Sequence, residues 1–135
     1  SGRCTTLDVG GSSDAHGMAR NIELGQRGER IAADFLTVAG HRVVDRNWRS
    51  RTGELDLVTI DRGTVVAVEV KTRSGAGYGN PLEAITALKM SRLRRLLLEW
   101  VRSSGVHGSR LRVDAVGITI RHDGRPRIDH LQGIS

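Results

Sequence analysis

From Asn21 onward the apolar residues recur at helical spacing. Leu24, Gly28, Ile31, Ala32, Phe35, Leu36 and Ala39 fall on one side at about 100° per residue, and Gly40 is placed to end the helix as a C-terminal cap. The period then shortens. His41 to Trp48 reads as a short strand, Arg49 to Gly53 as a basic connection, and Glu54 to Ile60 as a second strand. Asp61-Arg62-Gly63 is a tight turn into Thr64 to Lys71, where near-continuous valines predict a central strand covered on both faces.

A glycine-rich loop (Gly75, Gly77, Gly79) follows, and Asn80-Pro81-Leu82-Glu83 has the form of a helix cap with proline at the first helical position. The spacing predicts one long helix from there to about Ser103, then a strand from Arg110 to Ile120, an Asp123-Gly124 hairpin turn and a short returning strand from Arg127 to Leu131. Residues 1–20 are rich in Gly, Ser and Thr without an apolar period and read as a flexible N-terminal arm. Residues 21–135 read as a single domain, an α/β sandwich with a mixed sheet in the order αβββαββ.

The 135-residue length fits one core. A single cysteine, Cys4, offers no internal disulfide, and no apolar run approaches the roughly 18 residues of a membrane span, so the cytoplasm is the default compartment and no membrane is expected. The net charge of +6 favours a polyanionic partner, nucleic acid ahead of an acidic membrane surface. Of the 21 basic residues only Lys71 and Lys89 are lysines, an arginine bias that composition alone does not make functional.

The chemistry lies in the valine-rich strand. A side-chain period of two puts Glu69 and Lys71 on the same face, their Cβ atoms roughly 6 to 7 Å apart, close enough to serve one phosphate or water. An ionised glutamate in so apolar a strand needs a countercharge or a cation. Asp56 on the preceding strand is brought alongside by the short turn, and two converging carboxylates call for a hard divalent cation, Mg²⁺ or Mn²⁺. Glu54 shares the strand face of Asp56, so spacing alone does not decide which of the two is the ligand, with Asp56 the deeper between Leu55 and Leu57.

Glu29 falls at the edge of the first helix's apolar stripe, flanked by Gly25, Gly28 and Ala32, small residues that let a helix approach a sheet. Lys89 sits at the centre of the second helix's stripe of Ile85, Leu93, Leu96 and Trp100, where a lysine either snorkels or finds an anion. Arg49, Arg51 and Arg73 flank the acidic strands as a basic rim. Trp48 offers either a base-stacking surface or a core side chain, and Tyr78 lies in the glycine loop as a further substrate contact.

Together, Gly53-Glu54-Leu55-Asp56-Leu57 and Val68-Glu69-Val70-Lys71 resemble the D...ExK signature of the PD-(D/E)xK nuclease superfamily, with Leu55 where the superfamily name has proline. Gly25-Gln26-Arg27-Gly28-Glu29, Arg46-Asn47-Trp48-Arg49, Tyr78-Gly79 and the Lys89 helix extend the likeness to the bacterial YraN family, itself similar to archaeal Holliday junction resolvases. The resemblance implies a restriction-endonuclease-like fold, with Asp56, Glu69 and the Val70 carbonyl as metal ligands. It also implies that Lys71 aligns or activates the attacking water and that Glu29 is the family's helical glutamate. The activity implied is metal-dependent phosphodiester hydrolysis, with DNA ahead of RNA, branched DNA as the favoured form and a homodimer to make paired nicks. The rival reading is a nucleic-acid-binding module that keeps the fold without cleaving.

Overall fold

The computed structural model describes residues 14–75, 79–106 and 110–134. Helix α1 (Asp14–Val38) leads into strands β1 (Arg42–Ser50), β2 (Gly53–Asp61) and β3 (Thr64–Ser74). Then come a 3₁₀ turn at Pro81–Ala84, helix α2 (Ala87–Ser104) and strands β4 (Arg110–Ile120) and β5 (Pro126–Leu131).

The five strands form one sheet in sequential order, antiparallel except for the parallel β3–β4 pair, whose crossover is α2. β3 is therefore central, as its valines require. Val66, Val68 and Val70 join Ala32, Ala33 and Leu36 of α1 in one core, whereas Val65 and Ala67 join Met90, Leu93, Leu97 and Trp100 of α2 in the other. Trp100 is buried, and its indole N–H donates to Asp45 Oδ2 at 2.8 Å.

The turns follow their residue chemistry. Arg62 and Gly63 both take positive φ (53° and 84°), the backbone of a two-residue hairpin whose twist matches the strands it joins. Gly40 (φ 103°) closes α1, with His41 N–H donating to the Leu36 carbonyl at 2.9 Å.

Both helix starts differ from the sequence reading. Residues 14–20, assigned there to a flexible arm, continue α1. Helix propagation gains one hydrogen bond per residue and needs no apolar stripe, so a missing period does not mark a helix end. The single helix expected from Pro81 is divided. Asn80 caps only the 3₁₀ turn, Ile85 is extended (φ −89°, ψ 123°), and the Thr86 side chain caps α2 by accepting from Lys89 N–H at 3.2 Å. Two consecutive β-branched residues favour that extended break, and Thr86 offers a stronger cap than the helix interior it would otherwise occupy.

Candidate metal and phosphate site

β2 and β3 pair regularly from Asp61–Thr64 up to Leu57–Val68, and there the ladder stops. Beyond that point Asp56 inserts its side chain between the strands, and its Oδ2 accepts the Val70 N–H at 2.9 Å. A carboxylate has replaced the backbone acceptor that a continued ladder would supply. The disturbance is also visible in packing: Leu55 and Val58, three positions apart, both join the α2-side core, which strict alternation would forbid. Asp56 is thereby buried and its orientation fixed by main chain.

Glu69 follows on β3 and is 1% exposed. It shares a face with Lys71, as the period of two predicts, and that face is the α2 side. Lys71 Nζ stands 3.5 Å and Lys89 Nζ 2.9 Å from Glu69 Oε2. Lys89 thus finds its anion in the strand glutamate itself, brought there because Thr86 starts α2 one turn earlier. Glu69 Oε1 is buried with no hydrogen-bond partner among the described residues.

The two lysines are electrostatically unequal. Burial and hydrogen bonding with Lys89 push the Lys71 pKa below the ordinary lysine value, with the Glu69 charge opposing. For Lys89 burial acts the same way, but hydrogen bonds to Lys71 and Glu69 and the attraction of Asp56 outweigh it and hold the ammonium. Packing reinforces the burial. Gly117 lies opposite Lys71 in the β3–β4 register, and a Cβ there would come within 3.0 Å of Leu82, so the glycine admits the 3₁₀ turn against the sheet beside Lys71.

The donor set suits a hard cation. Two carboxylates lie on neighbouring strands, and Glu69 has Oε1 buried without a donor while its Oε2 faces two ammoniums. Among the described residues no three of His, Cys, Asp and Glu come together as a metal-holding group. Asp56 and Glu69 are thus a two-carboxylate set, of the kind with which Mg²⁺ keeps several waters and substrate phosphate oxygens in its shell.

The remaining candidates divide between two faces. Gly28 lets α1 approach the sheet so closely that a Cβ would lie 1.9 Å from Thr72 Oγ1, the small-residue approach expected of this helix. Glu29, buried, then lines a cleft of about 590 Å³ with Gln26, Asn47, Arg49 and Glu54. Glu54 faces Arg49 there at 3.7 Å, whereas Asp56 lies against β3, which separates the two carboxylates that spacing left equivalent. Arg49 and Arg51 are exposed and Arg73 is half-buried. Trp48 packs partly buried against the α2-side core, the second of its two readings. Tyr78 lies outside the described residues.

A polar cluster at the far end of the sheet was not singled out by sequence. Asp114, fully buried, accepts from Arg112 (2.8 and 3.1 Å), His130 (2.9 Å) and Gly133 N–H (3.0 Å). Arg112 also donates to Asp61 at 2.9 Å, and His41 shares a 2.7 Å hydrogen bond with Thr59. Its signal was available: Arg112 and Asp114 alternate with Val113 on an apolar strand just as Glu69 and Lys71 do.

The family profile described as "Uncharacterised protein family UPF0102" matches residues 28–118, which run from within α1 into β4 and include Glu29, Asp56, Glu69, Lys71 and Lys89. A UPF0102 protein of Rhodococcus jostii is 53% identical over 85% of this chain and 98% of its own length. Those of Rhodococcus opacus and Renibacterium salmoninarum are 51% and 48% identical, over 85% and 87% of this chain and 98% and 99% of their own.

Proposed function

The chain belongs to the UPF0102 family, and we propose that it is a metal-dependent nuclease that hydrolyses phosphodiester bonds at Asp56, Glu69 and Lys71 on a restriction-endonuclease-like fold. The observation that carries this reading is the environment of Glu69: a carboxylate 1% exposed, one oxygen without a donor, the other between two lysines, next to a second carboxylate pinned by main chain. A purely structural glutamate would have both oxygens satisfied, because an unsatisfied buried acceptor costs about 1–3 kcal/mol and more when charged.

Mg²⁺ or Mn²⁺ bound by Asp56 and Glu69, with the Val70 carbonyl as the third protein oxygen, would supply Lewis acidity toward the phosphate and a more acidic water. The protein's own contributions are positional and electrostatic. The Val70 N–H holds Asp56 in one orientation. Lys71, its pKa depressed by burial, is suited to align the attacking water and to accept or return a proton near it. Lys89 keeps its charge and offers it to the phosphate as negative charge builds there. Glu29, with Arg49, lines a cleft beside α1 and is a further polar contact for the substrate.

The substrate is nucleic acid, DNA ahead of RNA, and branched forms are favoured, since the described fold presents no helix arranged to read base edges in a major groove. Symmetric nicking of such a substrate would require a homodimer. Incubation with Mn²⁺ and single-stranded, duplex, flap and four-way DNA tests the reading. Metal-dependent cleavage of at least one is expected, and no cleavage of any, by folded protein, would overturn it.

A further inference from the structure

The outward face of α2 carries charge that the site does not use. The helix holds five cations (Lys89, Arg92, Arg94, Arg95, Arg102) and one acid, Glu99, a net +4 against +6 for the whole chain. Lys89 turns inward to Glu69. Arg92, Arg95 and Arg102 are exposed, and at about 100° per residue they lie within an arc of roughly 80°. The acid on that face is engaged, Glu99 Oε2 accepting a hydrogen bond from Thr52 Oγ1.

The same contact extends the patch. A Cβ on Gly53 would stand 3.1 Å from Leu96 Cδ1, so the β1–β2 turn is seated on α2 and carries exposed Arg51 to its flank. A basic stripe thus runs over roughly 15 Å from Arg92 to Arg102 at about 1.5 Å per residue, its near end about one turn from Lys89, which enters the candidate site. One DNA strand presents a phosphate every 3.4 Å or so along the axis, so the stripe matches about four of them.

We propose that this face of α2, with Arg51, is the docking surface for a duplex arm of the nucleic-acid substrate, gripping its phosphate backbone and leading the strand to Glu69 and Lys71; its link to cleavage rests on the nuclease reading above. Duplex rather than single strand is indicated because the α2 aromatic, Trp100, is 3% exposed and cannot stack on bases, which leaves contact with the backbone alone.

The test is the triple variant Arg92→Ala/Arg95→Ala/Arg102→Ala, all at exposed positions, checked by thermal melting. Binding to a 30-base-pair duplex is measured in EDTA over a salt series, and Mn²⁺-dependent cleavage of the same DNA is scored separately. The slope of log K against log salt should flatten by about 0.9 per lost contact, and low-salt affinity should fall about tenfold or more. Unchanged slope and affinity would overturn the docking surface, and wild-type cleavage in that case would leave the nuclease reading standing. An α2-dependent slope without any cleavage would support the surface and count against the nuclease reading. Exposed Leu88 at the head of the stripe provides the contrary case: phosphatidylserine vesicles that displace the duplex from wild type, and fail to bind the triple variant, would assign this face to a membrane and overturn the proposal.

Discussion

Lys89 Nζ lies 2.9 Å from Glu69 Oε2, closer than Lys71 on Glu69's own strand at 3.5 Å. A residue 20 positions away in sequence is thus the nearer countercharge of the buried carboxylate, and the ammonium and a divalent cation would satisfy the same need.

From this follows an inverse relation between apo stability and response to metal. Lys89→Met should lower the melting temperature of metal-free protein, by less than the roughly 3–5 kcal/mol of a wholly uncompensated buried charge because Lys71 remains. Mn²⁺ should then raise the melting temperature of Lys89→Met more than that of wild type, since ligand binding to the native state stabilises by mass action. Equal or smaller metal-induced shifts in the variant would show that the lysine and the cation do not serve the same carboxylate.

The legible part of this architecture was what repeats. Alternation in Thr64–Lys71 placed Glu69 and Lys71 on one face, and the Asp61-Arg62-Gly63 turn brought Asp56 alongside. What periodicity does not encode is where a ladder ends. That the Asp56 carboxylate takes the Val70 N–H, and so is distinguished from Glu54, depends on the strands parting, which is a property of the pair rather than of either strand. The reach of Lys89 was half legible. Its place in an apolar stripe left snorkelling or an anion open, and the choice of Glu69 depended on Ile85 and Thr86 breaking the helix before Ala87. The basic stripe on α2 was hidden for another reason: an arginine-rich composition makes exposed arginines uninformative until a fold aligns them.

At Gly28 two known effects compete. Replacing a helix-interior glycine by alanine ordinarily gains about 0.5–1 kcal/mol. Here the added Cβ would stand 1.9 Å from Thr72 Oγ1 and 2.9 Å from Thr72 Cβ, and overpacking of that kind costs about 1–3 kcal/mol. Gly28→Ala is therefore expected to be destabilising in urea melts, and Thr72→Ala introduced with it should recover part of the loss. A more stable Gly28→Ala would mean that α1 does not rest on Thr72.

The far-end cluster predicts an acid-sensitive fold. Burial depresses the His41 pKa below its ordinary 6.5 despite the nearby Asp61 and Asp114 charges. Because the folded value is the lower one, the unfolded chain binds the proton first as pH falls. Stability should therefore decline from about pH 6.5 downward until the folded His41 itself titrates, and be unaffected by this group above neutrality. His41→Gln, which can keep the Thr59 hydrogen bond, should show a shallower decline in urea melts between pH 7 and 5. Identical slopes would remove His41 as the cause.

Asp114 anchors that cluster from a fully buried position, so Asp114→Ala takes the carboxylate from His130 and leaves Arg112 with Asp61 alone. A loss of roughly 3–5 kcal/mol is expected. A loss under about 1 kcal/mol, within the range of an exposed pair, would show that water reaches the site.

The central claim is that Asp56 and Glu69 hold a cation for phosphodiester hydrolysis and that Lys71 acts on the reacting groups without ligating it. Single-turnover cleavage in Mn²⁺, with Mn²⁺ affinity determined by calorimetry on the same preparations of wild type and Lys71→Ala, addresses it most directly. The account predicts a rate lower by about 10²–10⁴-fold in Lys71→Ala, the scale of a lost general acid–base group, with Mn²⁺ affinity close to wild type. A Lys71→Ala protein that cleaves at the wild-type rate would contradict it.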